Sequence, residues 1–262
     1  MKKIHFIGAG QMVEAIIRAG VNNGKLQAKN ITIEDIDPTR ISRLTEKYAV
    51  TASTSLTDAQ LVVIAVRPQD NLTAVTKSIV DRAPPDAIVI SIIAGVTLAH
   101  LDTLLGGRHP IARIIPNTLT DTGYGFSGVV LNERVKAADI EDFVESFGKV
   151  LYLDERQLDI FTGFAIAGPN YIYYFIESLT DAGVLAGLPR TQASAVVLEN
   201  LVGAVEMLKR SQLHPRQLLD INNSPAGVGM HGLYELNNSD FAAGLQRSVL
   251  AAVKRTTELA NE

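Results

Sequence analysis

The stretch from Lys3 to Ile17 constrains this chain more than any other. Ile4 to Ile7 is a short apolar run of strand type that ends at Gly8. From Met12 the pattern changes: Met12, Ala15, Ile16 and Ala19 recur at helical spacing, with Gly20 as a stop. A strand, a glycine turn and a helix in that order can lay a dinucleotide pyrophosphate against the free N–H groups and positive end of the helix. Gly8 permits the tight turn and Gly10 a close approach of backbone to phosphate, with Ala9, Gln11 and Met12 completing the loop. The third position of the fingerprint is Val13, bulkier than the usual Gly or Ala.

The fingerprint expects a second strand about 20 residues on, ending in an acid. Ile31 to Asp35 fits, with Asp35 placed to accept a hydrogen bond from a ribose hydroxyl. Asp35 and Asp37 also suit the cap of the next helix, whose first residue would be Pro38. The two roles are compatible.

Strand-like runs then alternate with helical ones. A helix is expected over Thr39–Tyr48, a short strand near Val50, and a polar helix start at Ser53–Asp58. Leu61–Val66 and Ala87–Ile92 read as buried parallel strands, Asp70–Val80 and Leu98–Leu105 as helices. Ile111–Ile115 and Val129–Leu131 are further strands before a helix over Ala137–Phe147. This order predicts an α/β fold, a doubly wound parallel sheet of the Rossmann kind, over residues 1–153. Ligands in such sheets sit beyond the carboxyl ends of the strands. That sets Gly8–Met12, Val66-Arg67-Pro68, Ala94-Gly95 and Pro116-Asn117 along one rim.

Residues 154–262 read as all-α, with helices at Tyr171–Gly183, Arg190–Ser211, Gln217–Ile221 and Ser239–Ala260, and a hinge around Val150–Asp159. Helices this apolar need a partner surface, so a homodimer built by this half, open to higher assembly, is expected. The distinctive loop is Asn222-Asn223-Ser224-Pro225-Ala226-Gly227-Val228-Gly229, ahead of a helix-like Met230–Leu236. Its helix-start N–H groups suit a substrate carboxylate, though a plain interhelical turn fits the spacing equally well.

Net charge is −4 with dispersed acids, so neither nucleic acid nor an anionic membrane is an expected partner. No apolar run approaches the roughly 20 residues that span a bilayer, and a cytoplasmic protein is expected. Cysteine is absent, which excludes disulfides and thiolate chemistry. The five histidines have no metal-ligand spacing, and His214-Pro215 reads as a helix start. Glu177 and Asp181 read as a solvated or interfacial edge.

Taken together these motifs resemble the pyrroline-5-carboxylate reductases over nearly the whole chain. The resemblance is carried by Gly8-Ala9-Gly10-Gln11-Met12, Ala65-Val66-Arg67-Pro68-Gln69, Ser91-Ile92-Ile93-Ala94-Gly95-Val96-Thr97 and Arg113-Ile114-Ile115-Pro116-Asn117-Thr118. It continues through Gly168-Pro169-Asn170-Tyr171, Gly187-Leu188-Pro189-Arg190, His214-Pro215 and Ser224-Pro225-Ala226-Gly227. It implies a dinucleotide-binding domain, an all-α dimerisation domain, and reduction of the C=N bond of a cyclic imine acid to proline with NAD or NADP. Cofactor contacts are implied at Gly8–Met12, Ala65, Val66, Arg67, Pro68, Ile93, Ala94 and Gly95, and the spacing and charge of the chain itself add Asp35 and Arg40 to them. Substrate contacts are implied at Asn117, Gln212, Ser224, Pro225, Ala226 and Gly227, and the catalytic positions at Val228, Gly229 and Asn170.

The chain departs from the family pattern at those last three. The substrate loop there runs roughly Ser-Pro-Gly-Gly-Thr-Thr, whereas Val228 and Gly229 carry no hydroxyl. Asn170 stands for a usual Ala, Gln212 where some members have an acid, and Arg67 for a usual Lys. Backbone N–H groups at Val228 and Gly229 remain to hold the carboxylate, and an imine can arrive already protonated. Asp35-Ile36-Asp37 would repel the 2′-phosphate of NADP, only partly offset by Arg40, so NAD is the expected cofactor. A regulatory relative that binds cofactor without forming proline, or a reductase of another imine or keto acid, are the alternatives. A lysine-dependent 3-hydroxyacid dehydrogenase is disfavoured, because no lysine occurs between Lys149 and Lys209.

Overall fold

A computed structural model describes residues 2–67 and 70–259, which pack into two compact units. The first comprises the chain up to Ile166 together with its last stretch from Ala252; the second is Ala167–Ala251.

The first unit is an eight-stranded sheet: β1 (Ile4–Ile7), β2 (Ile31–Glu34), β3 (Thr51–Ala52), β4 (Leu61–Ile64), β5 (Ile88–Ser91), β6 (Ile111–Ile115), β7 (Phe126–Leu131) and β8 (Lys149–Tyr152). Their order is β3-β2-β1-β4-β5-β6-β7-β8. All pairs are parallel except β6 with β7. The apolar run of β4 shows why both faces must be covered. Leu61 and Val63 join one core with Phe6, Ile33 and Ile90, against Val13, Ile16 and Ile17 of α1 (Gln11–Asn22) and Phe143 of α5 (Ala137–Val144). Val62 and Ile64 join the other with Val89, against Ile79 of α3 (Leu72–Arg82) and Leu101 of α4 (Leu98–Leu104). Val13 lies within the first core, so its extra bulk is accommodated between helix and sheet. A further helix, α2 (Pro38–Tyr48), adds Leu44 and Tyr48 to that core. Asp37 caps it, its carboxylate accepting from the Thr39 N–H at 2.9 Å.

Three local expectations are corrected. Ser53–Asp58 is not helical: Ser53 N–H extends the sheet pattern to Ile33, and Ser55 and Thr57 bond each other's hydroxyls around the buried Leu56. Such short polar side chains offer the backbone a local alternative to the helix. The expected hinge at 150–159 holds β8 and α6 (Glu155–Phe161) instead. Leu158 and Phe161 of α6 close over Ile115 and Val130, which ties the segment to the first unit, and the chain leaves that unit only after Ile166. The sheet also takes one antiparallel step, from β6 to β7, before a last parallel pair, and β8 forms its outer edge with Leu151 and Tyr152 exposed.

The second unit is helical: α7 (Gly168–Leu185), α8 (Arg190–Ser211), α9 (Pro215–Ile221), α10 (Val228–Asn238) and the start of α11 (Phe241–Leu259). Arg190 at the head of α8 bonds both Glu177 and Asp181 of α7, so those acids form an interhelical clamp. Large apolar side chains remain exposed on this unit, among them Leu185, Val202, Met207 and Tyr234.

Candidate functional site

The carboxyl ends of β1, β2, β4, β5 and β6 form one rim of the sheet. Gly8 opens it with φ +109° and donates its N–H to the Glu34 carbonyl at 2.8 Å. A Cβ at position 8 would stand 2.6 Å from the Ala65 carbonyl oxygen, so β1 and β4 close together only around glycine. Gly10 is different: its backbone is extended, and no atom of the described residues lies within 4 Å of where a Cβ would be. It is the N-cap of α1, without a side-chain cap, so the first N–H groups of Gln11 and Met12 border open space. An anion resting on Gly10 would meet those N–H groups and the positive end of α1.

Two of the expected cofactor contacts are engaged with each other. Ala9 is fully buried and donates its N–H to Asp35 Oδ2 at 2.6 Å, while Asp35 Oδ1 accepts from Asp37 N–H at 2.8 Å. The Asp35 side chain is only 5% exposed. It therefore fixes the glycine loop to the end of β2, and the Ala9 amide is not free for phosphate. Arg40 sits 3.7 Å from Asp35 and 3.4 Å from Asp37, and Ile36 between them is 94% exposed. The hydroxyl and backbone of Thr39, with the charge of Arg40, hold the Asp37 carboxyl below its usual value.

Across the rim, Arg67 pairs with Asp70 at 3.0 Å and donates its own N–H to the same carboxylate at 2.8 Å. Pro68 lies outside the described residues. Ile93 is buried in the core, so only its backbone is available to a ligand, and Gly95 takes φ +81°. Asn117, expected as a substrate contact, is occupied: its Nδ2 donates to the Ala165 carbonyl at 2.6 Å and its Oδ1 accepts from Leu119 N–H at 2.7 Å. It works as a brace for the loop after β6.

An ion pair that sequence reasoning missed, buried on its arginine side, supports this rim. Arg113, 3% exposed in β6, bonds Glu155, which also accepts from Leu98 N–H at 3.2 Å. A lone arginine in the run Ile111–Ile115 was the available signal, since a buried charge requires a partner.

In the second unit, the loop Ser224–Gly229 turns through Ala226 at φ +55°, and Gly227 donates its N–H to the Ser224 carbonyl at 3.0 Å. Gly227 is the N-cap of α10, again without a side-chain cap. Val228 is 94% exposed and Gly229 follows it in the first turn. Asn170 is exposed in the first turn of α7. Gln212 ends α8 at φ +56°, with its carboxamide bonded to the Lys209 carbonyl at 2.7 Å, so its donor serves its own helix. His214 is the N-cap of α9, as expected.

A largely parallel sheet with a glycine turn heading its first helix, joined to an all-α unit, is the layout of a dinucleotide-dependent oxidoreductase. A family model described as "Pyrroline-5-carboxylate reductase dimerisation" matches residues 155–259, and one described as "NADP oxidoreductase coenzyme F420-dependent" matches residues 3–95. Pyrroline-5-carboxylate reductase 1 of Bacillus subtilis is 30% identical over all of this chain and 90% of its own length; the Pisum sativum reductase is 34% identical over 97% and 94%. The chain belongs to the pyrroline-5-carboxylate reductase family of NAD(P)H-dependent oxidoreductases. Among solved structures, the Plasmodium falciparum enzyme with NADP bound has a TM-score of 0.85 at 28% identity, covering 99% of this chain and 98% of that one. The Coxiella burnetii reductase gives 0.88 at 26% identity, covering 98% of each. Among the described residues no helix is long and apolar enough to cross a membrane.

Proposed function

We propose that this protein reduces 1-pyrroline-5-carboxylate to proline with NADH in preference to NADPH, as a homodimer in the cytoplasm. The observation that carries the reading is the rim itself: an open cradle over Gly10 at the uncapped head of α1, in a chain of this family. Gly10, Gln11 and Met12 would hold the pyrophosphate, the loops around Ala65–Arg67 and Ala94–Gly95 the nicotinamide end, and the segment Asp35–Arg40 the adenosine ribose. The cofactor, when bound, supplies the hydride that adds to the imine carbon.

The chain's own part is to bind and orient. The N–H groups of Val228 and Gly229, at the positive end of α10, face a substrate carboxylate. The imine nitrogen arrives protonated from water and becomes the secondary amine of proline, so no strong acid is required of Val228, Gly229 or Asn170. Ser224, Pro225, Ala226 and Gly227 shape the loop around the ring, while Asn117 and Gln212 act through the segments they brace.

The preference for NADH is supported by Asp35 and Asp37 sharing one cation, Arg40, with the apolar Ile36 exposed between them. A 2′-phosphate brought there meets net negative charge. Fluorescence titration with both reduced cofactors tests this: NADH is expected to bind about tenfold more tightly. Equal or tighter binding of NADPH overturns the preference, and no turnover of pyrroline-5-carboxylate beside intact NADH binding overturns the activity.

A further inference from the structure

We propose that Asn223 is a positioning residue of the substrate loop, its carboxamide standing in for the side chain that position 229 lacks. The inference rests on the reading that Ser224–Gly229 holds the ring acid. Gly229 lies in the first turn of α10 and is not among the glycines with positive φ, so its backbone does not call for glycine. Glycine is also a poor helix residue. What requires it is space: a Cβ at 229 would fall closer to Asn223 Oδ1 than van der Waals contact allows. That oxygen is no loose tip, because the same carboxamide donates through Nδ2 to the Leu219 carbonyl of α9 at 2.6 Å. Its Oδ1 is buried and without a hydrogen-bond partner among the described residues.

A side chain at 229 and the carboxamide of Asn223 therefore exclude one another. In place of a side chain at 229, this chain has the Asn223 amide in the space that a Cβ there would take. The wedge joins the last turn of α9 to the first turn of α10 and sets the direction in which the Val228 and Gly229 N–H groups point. The orphaned oxygen lies against the positive end of α10, which lowers the cost of leaving it unpaired.

The test compares wild type, N223A, G229T and N223A/G229T, using turnover of 1-pyrroline-5-carboxylate with NADH, NADH binding by fluorescence, proline binding by calorimetry with NAD present, and thermal melting. N223A is expected to raise both the KM for the imine acid and the Kd for proline about tenfold, with kcat and NADH affinity changed less than about threefold. G229T alone should do similar harm by displacing the amide, yet restore most of the lost affinity when added to N223A. Unchanged imine KM in N223A overturns the assignment, as does an equal loss of NADH affinity or a G229T effect of the same sign in both backgrounds. A wild type that binds proline without turnover defeats the catalytic reading alone, and the proline affinities then decide the role of Asn223. A wild type that binds no proline overturns both.

Discussion

An alanine at position 8 would have to hold φ at +109° and set its methyl 2.6 Å from the Ala65 carbonyl. G8A is therefore expected to cost about 2–3 kcal/mol in urea unfolding and to weaken NADH binding more than tenfold in fluorescence titration. Glu155 and Arg113 form an asymmetric pair, with Glu155 34% exposed and Arg113 3%. E155A strands a buried guanidinium and should cost about 3 kcal/mol, whereas R113M leaves a carboxylate that can turn to water and should cost less. Equal urea midpoints for the two variants would refute that asymmetry. The sequence made Gly8 and Asp35 legible because each obeys a short-range spacing rule. It concealed what Asp35 binds, since the Ala9 amide becomes its partner only once β1 and β2 lie side by side. Arg113 and Glu155 were hidden for the same reason, being 42 positions apart.

At the level of elements, α1 and α2 are joined by Glu14. Burial alone would raise its carboxyl, but hydrogen bonds from Lys47 and Tyr48 and the charge of Arg43 outweigh that and hold it below its usual 4.5. A carboxylate whose folded pKa is depressed stabilises the fold above its unfolded pKa, and that contribution disappears as pH falls through the folded value. E14Q should thus be less stable than wild type at pH 7, by about 1 kcal/mol, with the gap closing below about pH 4.5. A pH-independent gap in urea melts would show that Glu14 acts through packing. Near-continuous apolar runs made β4, β5 and β6 plain, Ser91 and Arg113 being the exceptions, because a strand covered on both faces is apolar at almost every position. Lys149–Tyr152 gave no such signal: it is an edge strand, wet on most of its residues. Ser53–Asp58 misled because polarity says nothing about whether hydroxyls will bond backbone or each other.

At the scale of the molecule, the exposed apolar residues of α7, α8 and α10 lie in a segment matched by a dimerisation model. Val202, 60% exposed on α8, is a point where one charge should be decisive. V202E is expected to convert the proposed dimer to monomers in sedimentation while leaving NADH affinity intact, since the residues proposed to hold the cofactor all lie in the first unit. Loss of NADH binding in the monomer would show that the first unit needs the assembly to form its rim. The two-part plan was readable from the change in periodicity past the middle of the chain; the return of the end of the last helix to the first unit was not, because periodicity carries no long-range address.

The sheet stops at β8, four residues beginning with Lys149 and carrying exposed Leu151 and Tyr152. Among the described residues no strand pairs with its far side, an invitation for a stray chain to zip on. Brevity and one lysine are its safeguards, so concentrated refolding mixtures should clump from that margin first.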